Sequence, residues 1–381
     1  MIFYYILFYF FILLYGSLKL GIGPDEAKIV FASSGWLHTL ANTLYKIYPQ
    51  ELFVRLPVLL ISIANVYLIY LLAKRYVKKE QDALLAAVIY SLLPAVLATG
   101  VILNKAPFLI FLTALLLLLS PFRIGGMILA LVLLFLDKAF AILFLAIAFY
   151  TLYKKRWRYA FFYFILFCAS ILLFGFSVGG KPKSYFLDTF GVFSAIFSPL
   201  LFLYFFYVIY RTMIKEHKDV LWFVSAVAFL FALFLSFRQK INLLDFAPFA
   251  VFGVILMVRT FLHSVRSRLP KYRKKFYFAF VIVISFMILN DAALFFNELL
   301  FGHLKRHFAK QYYIGKLLAK ELQQRGISCL TTSDASLSLQ LQFYGIGFCS
   351  NFKLSKTSGE KINIHYNNRI LASYYVSKSN E

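Results

Sequence analysis

The feature that most constrains this chain is a succession of long apolar runs, about eleven of them, parted by short polar breaks. About 20 apolar residues cross a bilayer as a helix, and shorter runs suffice inside a bundle. The runs lie near residues 2–18, 56–73, 83–101, 107–120, 124–137, 139–153, 159–178, 192–210, 220–236, 246–262 and 277–297. The breaks are weakest between Ala106 and Tyr153, where only Ser120-Pro121-Phe122-Arg123 and Asp137-Lys138 intervene. Of the 381 residues, 62% are hydrophobic and 15% charged. A soluble domain is about half apolar and about a quarter charged. A soluble enzyme, a disordered chain and a disulfide scaffold are thereby excluded. The expected fold class is an α-helical polytopic membrane protein with about 11 transmembrane helices.

The breaks differ in charge. Basic residues recur in alternate ones: Lys74-Arg75 with Lys78-Lys79, Arg123, Lys154 to Arg158, Arg211 with Lys215 and Lys218, and Arg266 to Lys275. By the positive-inside rule these loops are cytoplasmic. The expectation is a multi-pass protein of the cell (inner) membrane, with its N-terminus cytoplasmic and its tail extracytoplasmic. The net charge of +24 is spread between apolar runs rather than over one face, which argues against nucleic acid as a partner. Met1 to Leu20 has no basic n-region and no small-x-small cleavage site, so it reads as a retained span.

After about residue 298 the pattern changes. Ile314, Leu317, Leu318 and Leu322 predict a helix over 311–325 with Gly326 as its stop. A strand at 327–331 follows, then a cap at Thr332-Ser333-Asp334, a helix at 337–344 and a strand at 346–349. Ile362 to Tyr366 and Leu371 to Val376 read as a hairpin around Asn367-Asn368. The predicted domains are therefore a membrane domain, 1–298, and a small external α/β domain, 299–381. Of three cysteines, Cys168 sits in an apolar run as a small hydrophobe. Cys329 and Cys349 form a disulfide if their side is oxidising and are buried thiols otherwise.

The far-side breaks are short, yet they hold the ionisable residues that topology leaves unexplained. Asp25-Glu26 follows the first run, as a solvated turn or as an acid/base or metal-binding pair. Arg55 opens the second run, Asn104-Lys105 precedes the fourth, and Asp137-Lys138 interrupts an apolar stretch. Lys181 and Lys183 read as snorkelling residues. Arg238-Gln239-Lys240 precedes the tenth run, with Asp245 after it. One acidic pair facing many cations suits an anionic ligand, most simply a phosphate. His38, in an amphipathic helix over 34–48, is polar surface, a base or a ligand.

The order of these motifs resembles the GT-C superfamily of polyprenyl-phosphate-dependent glycosyltransferases, in its bacterial branch of protein O-mannosyltransferase and aminoarabinose transferase relatives. GPDEAKIVF matches the family's Asp-Glu in the first external loop through Asp25 and Glu26. Arg55-Leu56-Pro57 matches the Arg-Leu-Pro that opens the next span, and LLAKRYVKK the basic loop after it. FLDKAFAILF resembles a degraded Thr-Lys-Gly-Pro motif around Lys138, and SFRQKINLLDFAPF supplies Lys240 and Pro248. Three departures stand out. SSGWLHTL lacks the His-Pro-Pro-Leu stretch; Ala139-Phe140 replaces Gly-Pro; and Asn104, Lys105 and Ala106 stand where the family's second acidic residue falls.

The resemblance implies GT-C-like architecture and transfer of a sugar from a polyprenyl-phosphate donor to a lipid, glycan or protein acceptor. Asp25 and Glu26 would be catalytic, or hold a divalent cation. Arg55, Lys138, Lys240 and Arg238 would bind the donor phosphate, with His38, Asn104, Lys105 and Asp137 as accessory residues. Asp25, Arg55, Lys138 and Lys240 are expected to line one cavity. The alternative is an inactive GT-C-like lipid-binding subunit or a transporter; the paired broken helices of a transporter's two related halves are not evident in the sequence.

Overall fold

The structure, a computed structural model, describes residues 1–175, 185–296, 310–355, 359–366 and 369–378. Lys181, Lys183 and the turn at Asn367-Asn368 lie outside the described residues.

Within the described residues, every apolar run is built of helices. Among the described residues five stretches are long and apolar enough to cross a membrane: α1 (Ile2–Lys19), α4 (Glu51–Ala73), α10 (Trp157–Phe174), the stretch Ala247–Arg266 and α16 (Pro270–Phe295). The number rises to seven if each of two bent pairs is one span. In the first pair, α5 (Glu80–Ser91) and α6 (Pro94–Val101) meet at 64°, and in the second α11 (Phe186–Phe197) and α12 (Pro199–Lys215) meet at 105°. Both bends come at a proline, whose ring cannot continue the preceding helix. Four shorter apolar helices complete the set: α7 (Ala106–Leu119), α8 (Ile124–Leu136), α9 (Phe140–Tyr153) and α13 (Val220–Ser236). The stretch Ala247–Arg266 consists of α14 (Ala247–Ala250) and α15 (Gly253–Arg266). Two amphipathic helices, α2 (Pro24–Phe31) and α3 (Trp36–Ile47), fill the loop between α1 and α4. Gly35 turns the chain between them at φ 107°, a region that suits glycine.

By packing, the chain forms two units. One comprises Met1–Phe10, Leu60–Gly100 and Lys105–Asp291. Its centre is α9, where Phe140, Leu143, Phe144, Ala146 and Ile147 are all buried. Phe193, Phe197, Phe202, Phe205 and Phe229 interlock beside it. Ile128, Val132 and Phe135 of α8, Phe161 and Leu172 of α10, and Phe278 and Val281 of α16 stay exposed. Large apolar side chains on the outside of a helical bundle fit lipid, not water, as the solvent.

The five basic loops gather at one end of this unit. Arg75 donates to the Leu117 carbonyl, and Arg156 lies over the Phe122 ring. Lys218 lies over Tyr153, Arg211 donates to Ser264 at 3.2 Å, and Arg266 clasps both oxygens of Asp82 at 2.6 and 2.7 Å. Alternate loops thus share an end, as their charge bias predicts.

The second unit comprises Phe11–Leu59, Val101–Asn104 and Ala292–Glu381. The expected boundary at 298 therefore differs from the grouping by packing, because the tail packs on the loop between α1 and α4. The tail holds α17 (Lys310–Gln324), β1 (Thr331–Thr332), α18 (Ala335–Phe343), β2 (Phe352–Ser355), β3 (Glu360–Tyr366) and β4 (Arg369–Lys378). The sheet order is β1-β2-β4-β3, with β1 and β2 parallel and the rest antiparallel. Leu318, Leu322, Leu341, Ile362 and Ile364 form its core. Asp334 caps α18 by accepting from Ser336 and Leu337, as expected. The strand expected at 346–349 is instead one bridge, Gly347 to Cys329, and the pairing strand is β2. Cys329 and Cys349 are joined by a disulfide, their Cα atoms 5.4 Å apart.

Candidate active site

Asp25 and Glu26 are adjacent but have opposite environments. Pro24 starts α2 with a preset φ, so both carboxylates fall in its first turn. Helical spacing turns them about 100° apart, and one faces in while the other faces out. Asp25 is exposed, and among the described residues its carboxylate has no partner.

Glu26 is buried, 2% exposed, and accepts four hydrogen bonds. Arg55 donates through Nε at 2.8 Å and Nη2 at 2.6 Å; the Gly23 and Leu103 amides donate at 2.8 and 2.6 Å. Arg55 is fully buried. Its remaining N–H groups go to the carbonyls of Ser17 at 2.9 Å, Leu20 at 2.7 Å and Gly21 at 2.8 Å. A guanidinium has five N–H donors, and all five are used. This corrects the expected roles of both residues. Arg55 has no N–H left for a donor phosphate. Glu26 has no oxygen to give a cation or a proton without breaking this lattice. The pair locks the loop that presents Asp25.

The tail grips the same loop from another side. The Ile22 amide donates to Tyr344 Oη at 2.8 Å, and Gln340 Nε2 donates to the Ile22 carbonyl at 2.7 Å. The Tyr344 hydroxyl in turn donates to Glu51 at 2.8 Å, and Lys316 pairs with Glu51 at 3.0 Å. Burial first, then the Glu51 carboxylate, raises the Tyr344 pKa. Tyr312 lies close against Gly23: a Cβ added there would sit 2.4 Å from its ring. Burial, then the Glu26 carboxylate, pushes the Tyr312 hydroxyl up to about 12. His38 Nδ1–H donates to the Ile29 carbonyl at 2.8 Å, since a carbonyl can only accept. In a neutral ring this leaves Nε2 with its lone pair.

The other unit assembles a separate charged cluster, at the end remote from the basic loops. Lys105, ahead of α7, donates to both oxygens of Asp137 at 3.0 and 3.1 Å and to Asp245 at 2.5 Å. Lys138 stands 3.6 Å from the second oxygen of Asp245 and is 58% exposed. The Ala139 amide also holds Asp137, at 2.8 Å. Burial opposes the charge on Lys105, but Asp245 and Asp137 outweigh it, so its pKa is raised. Where the family's second acid was expected this chain has Lys105, and two acids from other loops close on it. Asn104 is buried and donates back to the Ile102 carbonyl.

Lys138, Gln239, Lys240, Asn242 and Asp245 line one cavity of about 370 Å³, with Phe167, Phe174 and Phe231 among its apolar walls. Lys138 and Lys240 thus share a cavity, as expected. Arg238 is exposed and does not line it. Asp25 and Arg55 belong to the other unit. Sequence reasoning noted Asp245 without assigning it to the site, and missed Glu51, Gln340 and Tyr344. The scarcity of acids, 16 against 40 basic residues, was the available signal for Asp245.

A divalent cation on the Asp25-Glu26 pair does not fit this donor set. Both Glu26 oxygens are saturated, and among the described residues no three His, Cys, Asp or Glu side chains are grouped to hold a metal.

No protein-family model and no curated protein matches the chain. Among solved structures it is similar to ArnT from Cupriavidus metallidurans in the apo state. The identity is 14%, the coverage 88% of this chain and 73% of that one, and the TM-score 0.47. A likeness of that degree leaves the activity to be argued from the residues.

Proposed function

We propose that the protein is an integral membrane glycosyltransferase that moves a sugar from a polyprenyl-phosphate donor to a lipid, glycan or protein acceptor on the extracytoplasmic side. One observation carries the reading: an exposed carboxylate, Asp25, with no partner among the described residues, on a loop held by nine hydrogen bonds through Arg55, Glu26, Gln340 and Tyr344. Rigid placement of a base is what proton abstraction needs. In the proposed step the acceptor hydroxyl oxygen attacks the anomeric carbon, and its proton passes to Asp25. The bond from that carbon to the phosphate oxygen breaks, its electron pair leaves on the polyprenyl phosphate, and the anomeric centre inverts. Lys138 and Lys240, which share a cavity in their own unit, are proposed to bind the phosphate of the donor. Lys105 holds Asp137 and Asp245 in place.

The test is transfer by the full-length protein in nanodiscs supplied with a polyprenyl-phosphate sugar, followed by release of polyprenyl phosphate. Asp25→Asn should lose 10²–10⁴-fold in rate. An Asp25→Asn variant as active as wild type removes the catalytic assignment and favours the lipid-binding subunit.

A further inference from the structure

A second cavity lies among the basic loops. It has a volume of about 760 Å³ and is formed by the α12–α13 connection and one face of α15. Positive charge in such loops is ordinarily a matter of topology. Here part of it is built into a concave site. Arg211 pairs with Glu216 at 2.9 Å, and Arg259 pairs with Asp219. These two pairs cancel and fix the frame. Lys215 and Lys218 remain on the cavity wall without a carboxylate partner among the described residues. His263, one helical turn after Arg259, lines the same wall.

Two aromatic rings hold Lys218 in place. Lys218 Nζ lies 5.3 Å from the centre of the Tyr153 ring and 5.8 Å from that of Trp222. Trp222 donates its indole N–H to the Ile209 carbonyl at 3.0 Å. Trp and Tyr with one polar edge concentrate at the headgroup layer of a bilayer. Excess cations on a concave wall at the basic end of the unit suit a phosphate group.

We propose that this cavity binds a phosphate-bearing anion through Lys215 and Lys218. Both an anionic lipid headgroup and a free phosphate have that chemistry. The site is independent of the proposed transfer reaction. The test uses the full-length protein in phosphatidylcholine nanodiscs doped with phosphatidic acid, with native mass spectrometry reading the lipid retained. Each lysine near an anionic headgroup contributes about fivefold. The double variant Lys215→Ala/Lys218→Ala should therefore retain phosphatidic acid ~25-fold less well. Lys78→Ala/Lys79→Ala, in another basic loop and not on the wall of this cavity, should cost clearly less retention. Pyrophosphate in the buffer separates the sources. If it fails to displace the lipid, the headgroup is the ligand; if it displaces the lipid and binds wild type but not the double variant, a free phosphate is. Equal retention by wild type and the Lys215/Lys218 variant, or equal loss in both double variants, overturns the proposal. Lys215→Arg/Lys218→Arg must keep the lipid; its loss there also overturns the proposal.

Discussion

Glu26→Gln separates a structural carboxylate from Asp25, the neighbour proposed as the base. The two side chains have the same shape, so the change is electronic. Both Glu26 oxygens receive two donors: Arg55 Nε and the Leu103 amide on one, Arg55 Nη2 and the Gly23 amide on the other. Glutamine must aim its NH₂ at one of these pairs. Two of the four bonds then become donor against donor, and the buried guanidinium loses its counter-charge. Breaking a buried pair in this way costs about 3–5 kcal/mol. For a chain of this size that is a fall in Tm of about 4–6 °C. Scanning fluorimetry in one detergent reads it for wild type, Glu26→Gln and Asp25→Asn side by side. Asp25→Asn should melt within about 1 °C of wild type, because an exposed carboxylate without a partner holds nothing. Replacing both Glu26 and Arg55 with leucine should recover part of the loss, since well-packed apolar pairs often match buried ion pairs. If Glu26→Gln melts like wild type yet loses transfer, Glu26 belongs to the chemistry and the lock is misread.

Tyr344→Phe removes the acceptor for the Ile22 amide and the donor to Glu51, so that amide should exchange with deuterium about tenfold faster or more, a loss on the order of 1–3 kcal/mol. Lys240→Ala should weaken use of the polyprenyl-phosphate donor while leaving Tm unchanged, read as a rise in donor KM. Replacing Cys329 and Cys349 with serine opens a link across 20 residues and should cost the tail about 3 kcal/mol, seen as faster proteolysis. A cysteine at Ser267 should react with an impermeant reagent only in opened cells, and one at Ser336 in intact cells; the reverse would invert the topology.

The apolar runs and charge bias told where the helices lie and which loops meet, because lipid allows a spanning segment few other solutions. The tail's helix at 310–324 and the hairpin strands were also legible, since periodicity and a capping Asp334 are local signals. Strand β2 was not, because a short strand is defined by its partner in the sheet. Arg55 was misread for a related reason. An arginine beside an apolar run looks like a phosphate ligand until one sees that three carbonyls and Glu26 have already taken its donors. Which of Asp25 and Glu26 faces outward depended on how α2 packs. Asp245 gained its meaning only when Lys105, distant in sequence, came to rest against it.

The grip on Ile22 also sets an order of events during synthesis. Its partners Gln340 and Tyr344 follow it in the chain by 318 and 322 residues. At about 5–20 residues per second they emerge roughly 15 to 60 s after Ile22. Arg55 and Glu26 can close at once, being only 29 residues apart, so the loop is half fastened early. Its second fastening waits until the last domain has been made and folded. A ribosome that stalls before the tail therefore leaves a bundle of helices whose first loop is still slack. Quality control that tests the tail would, in the same act, test the loop that carries Asp25.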